Sequence, residues 1–95
     1  MPQAYVGFIK IINNWLWEDK KTLVNLEKEK QDMLINIEVT KERIKNATTS
    51  NELIILKQIL RAREELLEIL LQEMVINRSK QKLYVEMIKY YNIFG

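Results

Sequence analysis

The segment from residue 51 to residue 76, NELIILKQILRAREELLEILLQEMVI, constrains the fold most, because its apolar side chains would cover most of a helix's circumference. Two apolar rows recur in it at helical spacing. The first row is Leu53, Leu56, Leu60, Leu67, Leu70 and Met74, and the second row is Ile55, Ile59, Ala62, Leu66, Ile69 and Ile76. The polar edge that remains is narrow. We therefore predict a core helix that contacts other helices on two or more sides.

A second apolar pattern lies in the first half of the chain, where side chains recur at seven-residue intervals. The regular positions are Leu16, Leu23, Ile37 and Ile44, with Leu26 and Met33 on a companion row. Lys30 and Thr40 interrupt this heptad pattern, and Arg63 interrupts the first row of the core helix. Polar residues at such positions often set the register and partner of paired helices. The pattern favours a short antiparallel pairing, in which Arg63 either packs its aliphatic stem or binds a carboxylate of a facing helix.

The clearest break in the helical pattern is KNATTSNE at residues 45–52, almost at the midpoint of the chain. Thr49 and Glu52 have the spacing of a capping box, which marks the start of a helix. A weaker break lies at 77–79, where Ser79 can cap a last helix. The predicted helices are about 3–17, 18–46, 51–76 and 79–94, folded into a hairpin by a turn at 46–51. Each arm could instead be one continuous helix, because asparagine and serine are tolerated inside helices.

The length and composition of the chain indicate one globular domain, residues 1–95. With 95 residues, 47% hydrophobic and 29% charged, the chain can bury a core but lies near the size at which oligomerisation often completes one. The predicted class is all-α. One arm of a hairpin covers only one side of the 51–76 helix, so we predict a three- to four-helix bundle that a homodimer completes.

Two residue types that carry much of protein chemistry are missing from the chain. Without cysteine there is no disulfide, thiolate zinc site or cysteine nucleophile, and without histidine the usual metal ligand and general base are lacking. The carboxylates are typical of solvated helix faces. The two glycines, Gly7 and Gly95, form no phosphate-binding loop. We therefore expect no enzymatic activity, no metal, no cofactor and no small-molecule substrate.

Contact between helices is the predicted mode of action. We expect a small regulator or adaptor that binds itself, another protein, or both, through the apolar face of 53–74 and the aromatic ends of the chain. The predicted interface residues are Trp15, Leu56, Leu60, Arg63, Leu67, Leu70, Met74, Tyr90, Tyr91 and Phe94.

The basic end of the chain supports an alternative function. Residues 78–95 contain four basic side chains and one acidic side chain. With the predicted break at 77–79, residues 63–94 resemble a helix-turn-helix, whose second helix lies in the major groove of DNA. The residues predicted to contact phosphates and base edges are Arg78, Lys80, Gln81, Lys82 and Tyr84. A DNA-binding regulator is the second hypothesis.

The aromatic segment 4–17 is the basis of a third hypothesis, contact with a membrane surface. Its polar face carries only Lys10 as a cation, so membrane contact is the least favoured of the three. The segment is too short to span a bilayer and lacks the pattern of a secretory signal, which favours a cytoplasmic protein. The many Ile, Lys and Asn residues correspond to AT-rich codons, which suggest a low-GC bacterium or one of its phages or plasmids.

Overall fold

Two long helices, joined by one short turn, form the described chain. In the computed structural model, the backbone is described for residues 3–94 and the side-chain environment for residues 6–93. Helix α1 is Gln3–Lys45 and helix α2 is Ser50–Phe94, and no strand occurs in this range. The predicted all-α class and the helical hairpin are confirmed.

The turn lies at residues 46–49, where the break in the sequence pattern predicts it. Thr49 directly precedes α2, and its hydroxyl accepts a hydrogen bond from the Glu52 backbone N–H at 3.2 Å. The Glu52 carboxylate accepts a bond from the backbone N–H of Thr48 at 3.4 Å, one residue earlier than a capping box requires. The start of α2 is therefore capped by the predicted residues in a slightly shifted arrangement.

The breaks predicted at 17–18 and 77–79 do not form, and each arm of the hairpin is one helix. Packing explains the continuity at Asn77, which is buried and accepts a hydrogen bond from the Gln81 side chain at 2.6 Å. An asparagine costs a helix less than about 1 kcal/mol relative to alanine, so such packing outweighs its propensity. The four predicted segments 3–17, 18–46, 51–76 and 79–94 are thus merged into two.

The chain divides into two compact units, each built from a segment of both helices. The turn unit is Leu26–Glu73, and the terminal unit is Met1–Asn25 together with Met74–Gly95. Within each unit, the buried and half-buried positions of each helix, apart from Glu27, follow alternating spacings of three and four residues. This is the heptad spacing of paired helices. We call these inward-facing positions the seam of the unit.

The seam of the turn unit is mostly aliphatic. Its α1 positions are Leu26, Lys30, Met33, Ile37, Thr40 and Ile44, and its α2 positions are Leu53, Leu56, Leu60, Arg63, Leu67 and Leu70. Leu70 is only 3% exposed. The heptad pattern predicted for this part of the chain is confirmed, including its polar interruptions at Lys30, Thr40 and Arg63.

The seam of the terminal unit contains more aromatic and polar side chains. Its α1 positions are Ile9, Ile12, Leu16, Asp19 and Leu23, and its α2 positions are Met74, Asn77, Gln81, Tyr84, Ile88 and Tyr91. Ile12 and Met74 are its most deeply buried apolar residues. The two units therefore hold their helix segments together by different chemistry.

Candidate interaction surfaces

Most of the predicted apolar interface residues lie in a seam, against the other helix of the same chain. Leu56, Leu60, Leu67 and Leu70 are buried or half-buried in the turn unit, and Met74 is buried in the terminal unit. Full burial of such a side chain contributes about 1.5–3 kcal/mol to folding. These residues hold the hairpin together, because α1 packs against the row to which they belong.

The second apolar row of the core helix lies on the surface of the turn unit. Its members in this unit are Ile55, Ile59, Ala62, Leu66 and Ile69, which we call the outer row. The four aliphatic side chains larger than alanine are between 37% and 55% exposed. Each outer-row residue directly precedes a seam residue, so the row lies about 100° around α2 from the seam. Helix α2 thus carries two apolar heptad rows in this unit, and α1 covers one of them.

Exposed charged residues beside the outer row change sign along the helix. Arg61 lies next to its first half, and Glu65 and Glu68 lie next to its second half. The change falls near Ala62, the middle residue of the row. The surface is therefore polarised along the axis of α2, positive toward the turn and negative away from it.

Arg63 is the centre of a polar cluster within the turn unit. Its guanidinium donates hydrogen bonds to the backbone carbonyl of Asn36, at 3.2 Å, and to the Thr40 hydroxyl. Thr40 is 1% exposed and donates its own hydroxyl proton to the Asn36 carbonyl at 2.8 Å. These contacts link α1 to α2 through neutral acceptors, whereas one of the two interpretations of the sequence pattern was a carboxylate partner. They favour the register in which Arg63 faces Thr40.

Replacing either of the two side chains of this cluster, Thr40 or Arg63, by leucine is expected to have unequal effects on stability. Thr40→Leu should lower the free energy of unfolding by about 1–3 kcal/mol, because the guanidinium loses an acceptor and meets an apolar side chain. Arg63→Leu should change it by less than about 1 kcal/mol, because Thr40 keeps its bond to Asn36 and the seam gains an apolar residue. Urea unfolding followed by circular dichroism measures both values. A larger loss in Arg63→Leu than in Thr40→Leu would contradict this assignment.

Aromatic side chains of both helices meet in the terminal unit. The Phe8 ring stacks on the Tyr91 ring with 6.1 Å between their centroids, and the Trp15 and Tyr84 rings are 5.9 Å apart. Tyr90 contacts Tyr91 edge to face at 5.7 Å. Rings of α1 are therefore held directly against rings of α2.

The predicted aromatic anchors occupy different environments. Trp15 and Tyr90 are about half exposed, as a contact residue on the surface would be. Tyr91 is half-buried in the seam. The side chain of Phe94 lies outside the described residues. Two of the four anchors are thus placed where a partner can reach them.

A polar layer crosses the seam of the terminal unit. The side-chain amide of Gln81 donates hydrogen bonds to the Asn77 side-chain oxygen, at 2.6 Å, and to the Asp19 backbone carbonyl, at 3.5 Å. The Asp19 Oδ2 atom is buried and has no hydrogen-bond partner among the described residues. An incompletely paired polar group costs free energy when buried, so this layer weakens the seam locally.

The residues predicted to contact DNA are divided between the surface and the seam. Arg78, Lys80 and Lys82 are exposed, whereas Gln81 and Tyr84 are half-buried and engaged in contacts within the terminal unit. Helix α2 continues through the predicted turn, so the helix-turn-helix predicted for 63–94 is not formed. The basic side chains instead project from one uninterrupted helix.

Sequence reasoning missed several exposed apolar residues of the terminal unit, and four of them share one position relative to the seam. They are Phe8 and Ile11 on α1, and Leu83 and Met87 on α2. Each directly precedes a seam residue, as Trp15 and Tyr90 also do. A search for apolar residues one position before every heptad position would have found them.

Within the described residues, no group of three or more Asp, Glu, His or Cys side chains is placed to hold a metal ion. Neither helix, over the same part of the chain, contains a stretch that is long and apolar enough to cross a membrane. Comparisons of the chain with protein-family models, with curated proteins and with solved structures give no match.

Proposed function

We propose that this protein is a non-enzymatic interaction module, a small cytoplasmic regulator or adaptor, that acts through helix-to-helix contact and forms a homodimer. The observation that carries the proposal is the outer row of α2, an aliphatic heptad row that no helix of its own chain covers. An exposed row of this kind is typical of a surface that binds another helix.

The geometry of α2 supports a second hairpin as the partner. Its two apolar rows lie about 100° apart, which is the arrangement of a helix with two neighbours in a bundle. One neighbour is α1 of the same chain, and the proposed second neighbour is α2 of another copy. Two hairpins joined in this way make a four-helix bundle of the predicted type.

The charges beside the outer row favour an antiparallel orientation of the two α2 helices. In that orientation, Arg61 of each copy lies near Glu65 and Glu68 of the other copy. In a parallel orientation, the rows that precede the outer row lie on opposite sides of the pair, so Arg61 of one copy would not reach Glu65 or Glu68 of the other. The row is also nearly symmetric about Ala62, with two larger aliphatic residues on each side.

Single cysteines test both the partner and its orientation, because the chain contains no cysteine of its own. The wild-type protein should show a mass near twice 11.4 kDa by light scattering after size exclusion, constant over a tenfold concentration range. Oxidation of Ala62→Cys should join two chains by a disulfide, because antiparallel packing brings the two middle positions together. Ile55→Cys should remain unlinked, since the two copies of that position, at one end of the outer row, lie far apart along an antiparallel pair.

Either of two results would contradict the proposal. A mass of 11.4 kDa at every concentration, which is the mass of one chain, would contradict the proposed homodimer. Disulfide formation in Ile55→Cys as efficient as in Ala62→Cys would show a parallel pairing and contradict the role assigned to Arg61, Glu65 and Glu68.

A further inference from the structure

We propose that the terminal unit binds single-stranded nucleic acid through one basic side of its helix pair. This side is formed by the positions that directly follow a seam residue, and we call it the basic face. Its residues are Lys10, Asn13, Trp17, Lys20 and Val24 on α1 and Val75, Arg78, Lys82, Val85, Lys89 and Asn92 on α2, all of them exposed. The proposal does not depend on the homodimer, because it uses residues of the terminal unit alone.

Lysines of the two helices lie beside each other on the basic face. In an antiparallel pair of helices, the flanks that follow the seam lie on the same side of the pair. The side-chain amide of Gln81 donates to the Asp19 backbone carbonyl, which places these two seam residues at the same level. Lys20 directly follows Asp19, and Lys82 directly follows Gln81. These two lysines therefore form one cationic level of the face.

A second cationic level lies closer to the ends of the chain. Phe8 stacks on Tyr91, and Lys10 and Lys89 are each two residues away from this ring pair. The two lysine levels are separated by seven residues on α2 and by ten on α1. That separation is about 10–15 Å along the helix axes. The face thus presents cations at two levels, as contact with several phosphates of one strand requires.

Charge is segregated between the two sides of the terminal unit. Among the described residues, the basic face holds five basic side chains and no acidic one, whereas on the opposite side Lys80 is balanced by Glu18. The corresponding positions of the turn unit, which also follow a seam residue, hold four basic and four acidic side chains. The basic face is therefore a local feature of the terminal unit, of the kind that attracts a polyanion.

The charges around the basic face leave its lysines accessible to phosphate. Lys89 forms an ion pair with Glu86 at 3.7 Å, and both side chains of the pair are at least 65% exposed. Exposed pairs of this kind contribute little free energy, so a phosphate can replace the carboxylate. Arg78 already interacts with another group of the protein. We therefore assign the phosphate contacts to Lys10, Lys20, Lys82 and Lys89.

Trp17 supplies an aromatic surface among these lysines. It lies between Lys10 and Lys20 on α1 and is 59% exposed, with the Lys21 ammonium 4.2 Å from the centroid of its ring. An exposed indole can stack on an unpaired base of any identity, and cations beside it hold the backbone. The bases of a duplex are already stacked on one another. Trp17 therefore favours a single strand over a duplex.

A lipid surface fits the basic face less well. A helix at a membrane surface has its cations on one face and its large apolar side chains on the other. In the terminal unit, Trp17 shares its side with the lysines, whereas Phe8 and Leu83 lie on the opposite side of the pair. Insertion of Trp17 between lipids would draw the neighbouring ammonium groups toward the acyl chains, which is costly.

Fluorescence anisotropy of a labelled oligothymidine, titrated with the full chain, tests the proposal. Four lysine–phosphate contacts on a single strand predict that log K falls with log salt concentration with a slope of about −3. Affinity should therefore fall about fiftyfold between about 50 mM and about 200 mM salt. We expect a duplex of the same length to bind at least about fivefold more weakly, because its bases cannot stack on Trp17.

Two variants separate the phosphate contacts from stacking. Lys20→Gln with Lys82→Gln in one chain should halve the salt slope and weaken binding at least about tenfold at about 50 mM salt. Trp17→Leu should weaken single-strand binding at least about fivefold and leave the salt slope unchanged, because stacking releases no counterions. The matched control is Lys41→Gln with Lys57→Gln, which removes the same charge from the corresponding side of the turn unit and should bind like the wild type. Circular dichroism confirms that each variant is folded.

Four results would overturn the proposal. The first is no binding of the oligothymidine at about 50 mM salt, where such contacts are strong. The second is an equal loss of affinity in the control variant, which would show that only net charge matters. The third is a duplex bound as tightly as the single strand, which would contradict the role assigned to Trp17. The fourth is sedimentation with phosphatidylglycerol vesicles by a protein that fails to bind the oligothymidine, which would assign the lysines to a lipid surface.

Discussion

Replacing Ile59 and Leu66 together by serine is expected to convert the proposed homodimer into a monomer. The two side chains lie on either side of Ala62 in the middle of the outer row, and a symmetric dimer loses four of them. Both are already partly buried, so each contributes about 1 kcal/mol on dimerisation and the total loss is roughly 4 kcal/mol. That corresponds to an approximately thousandfold larger dissociation constant of the dimer. Light scattering at micromolar concentration would then give the mass of one chain.

The matched control for this variant is Val24→Ser. Val24 is 60% exposed and lies on α1 in the terminal unit, so its replacement removes apolar surface without touching the outer row. We expect it to remain a dimer. If Ile59→Ser with Leu66→Ser keeps the mass of two chains while Val24→Ser does the same, the outer row is not the interface.

Replacing Leu70 by alanine is expected to have the largest effect on the stability of the fold. Leu70 is 3% exposed in the seam of the turn unit, and truncation of such a leucine costs about 2–5 kcal/mol because a cavity remains. Domains of this size have a total stability of about 5–15 kcal/mol, so the loss is a large fraction of it. Urea unfolding at a fixed protein concentration measures the change.

Leu83→Ala provides the comparison, because it is the same chemical change at an exposed position of the same helix. We expect it to alter the unfolding free energy by less than about 1 kcal/mol. The Leu70→Ala loss should persist in the monomeric Ile59 and Leu66 variant, since its contacts are within one chain. Equal effects of the two alanine substitutions would show that Leu70 is not a core residue.

The fold could be read from the sequence wherever the evidence was local. The Thr49 cap and the heptad spacing from Leu16 to Ile44 depend on residues within one or two helical turns of each other, and the structure confirms both. The break predicted at 77–79 does not form, because packing between the helices outweighs local propensity there. Asn77 has a weak preference against helix, but it is 7% exposed, and its burial depends on the helix pair, which local propensity does not contain.

The candidate surfaces were predicted less well, because the exposure of a side chain depends on how α1 and α2 pack together and not on either helix alone. Trp15 and Tyr90 were identified as contact residues and are exposed, but Leu56, Leu70 and Met74 were assigned to an interface and lie in the seam. Phe8 and Leu83 were missed, although their positions follow from the heptad register once it is known. The helix-turn-helix was wrong, because it required a turn that packing suppresses.

Local residue patterns already established that the chain is helical and turns near residue 47, because hydrophobic period and capping residues are local properties. They also established that α2 has two apolar rows. Which of those rows faces α1 became known from the packing of the two helices. The row that contains Arg63 lies in the seam and the purely aliphatic row is exposed, because the α1 seam contacts the first row and supplies Thr40 and the Asn36 carbonyl as acceptors for the half-buried Arg63.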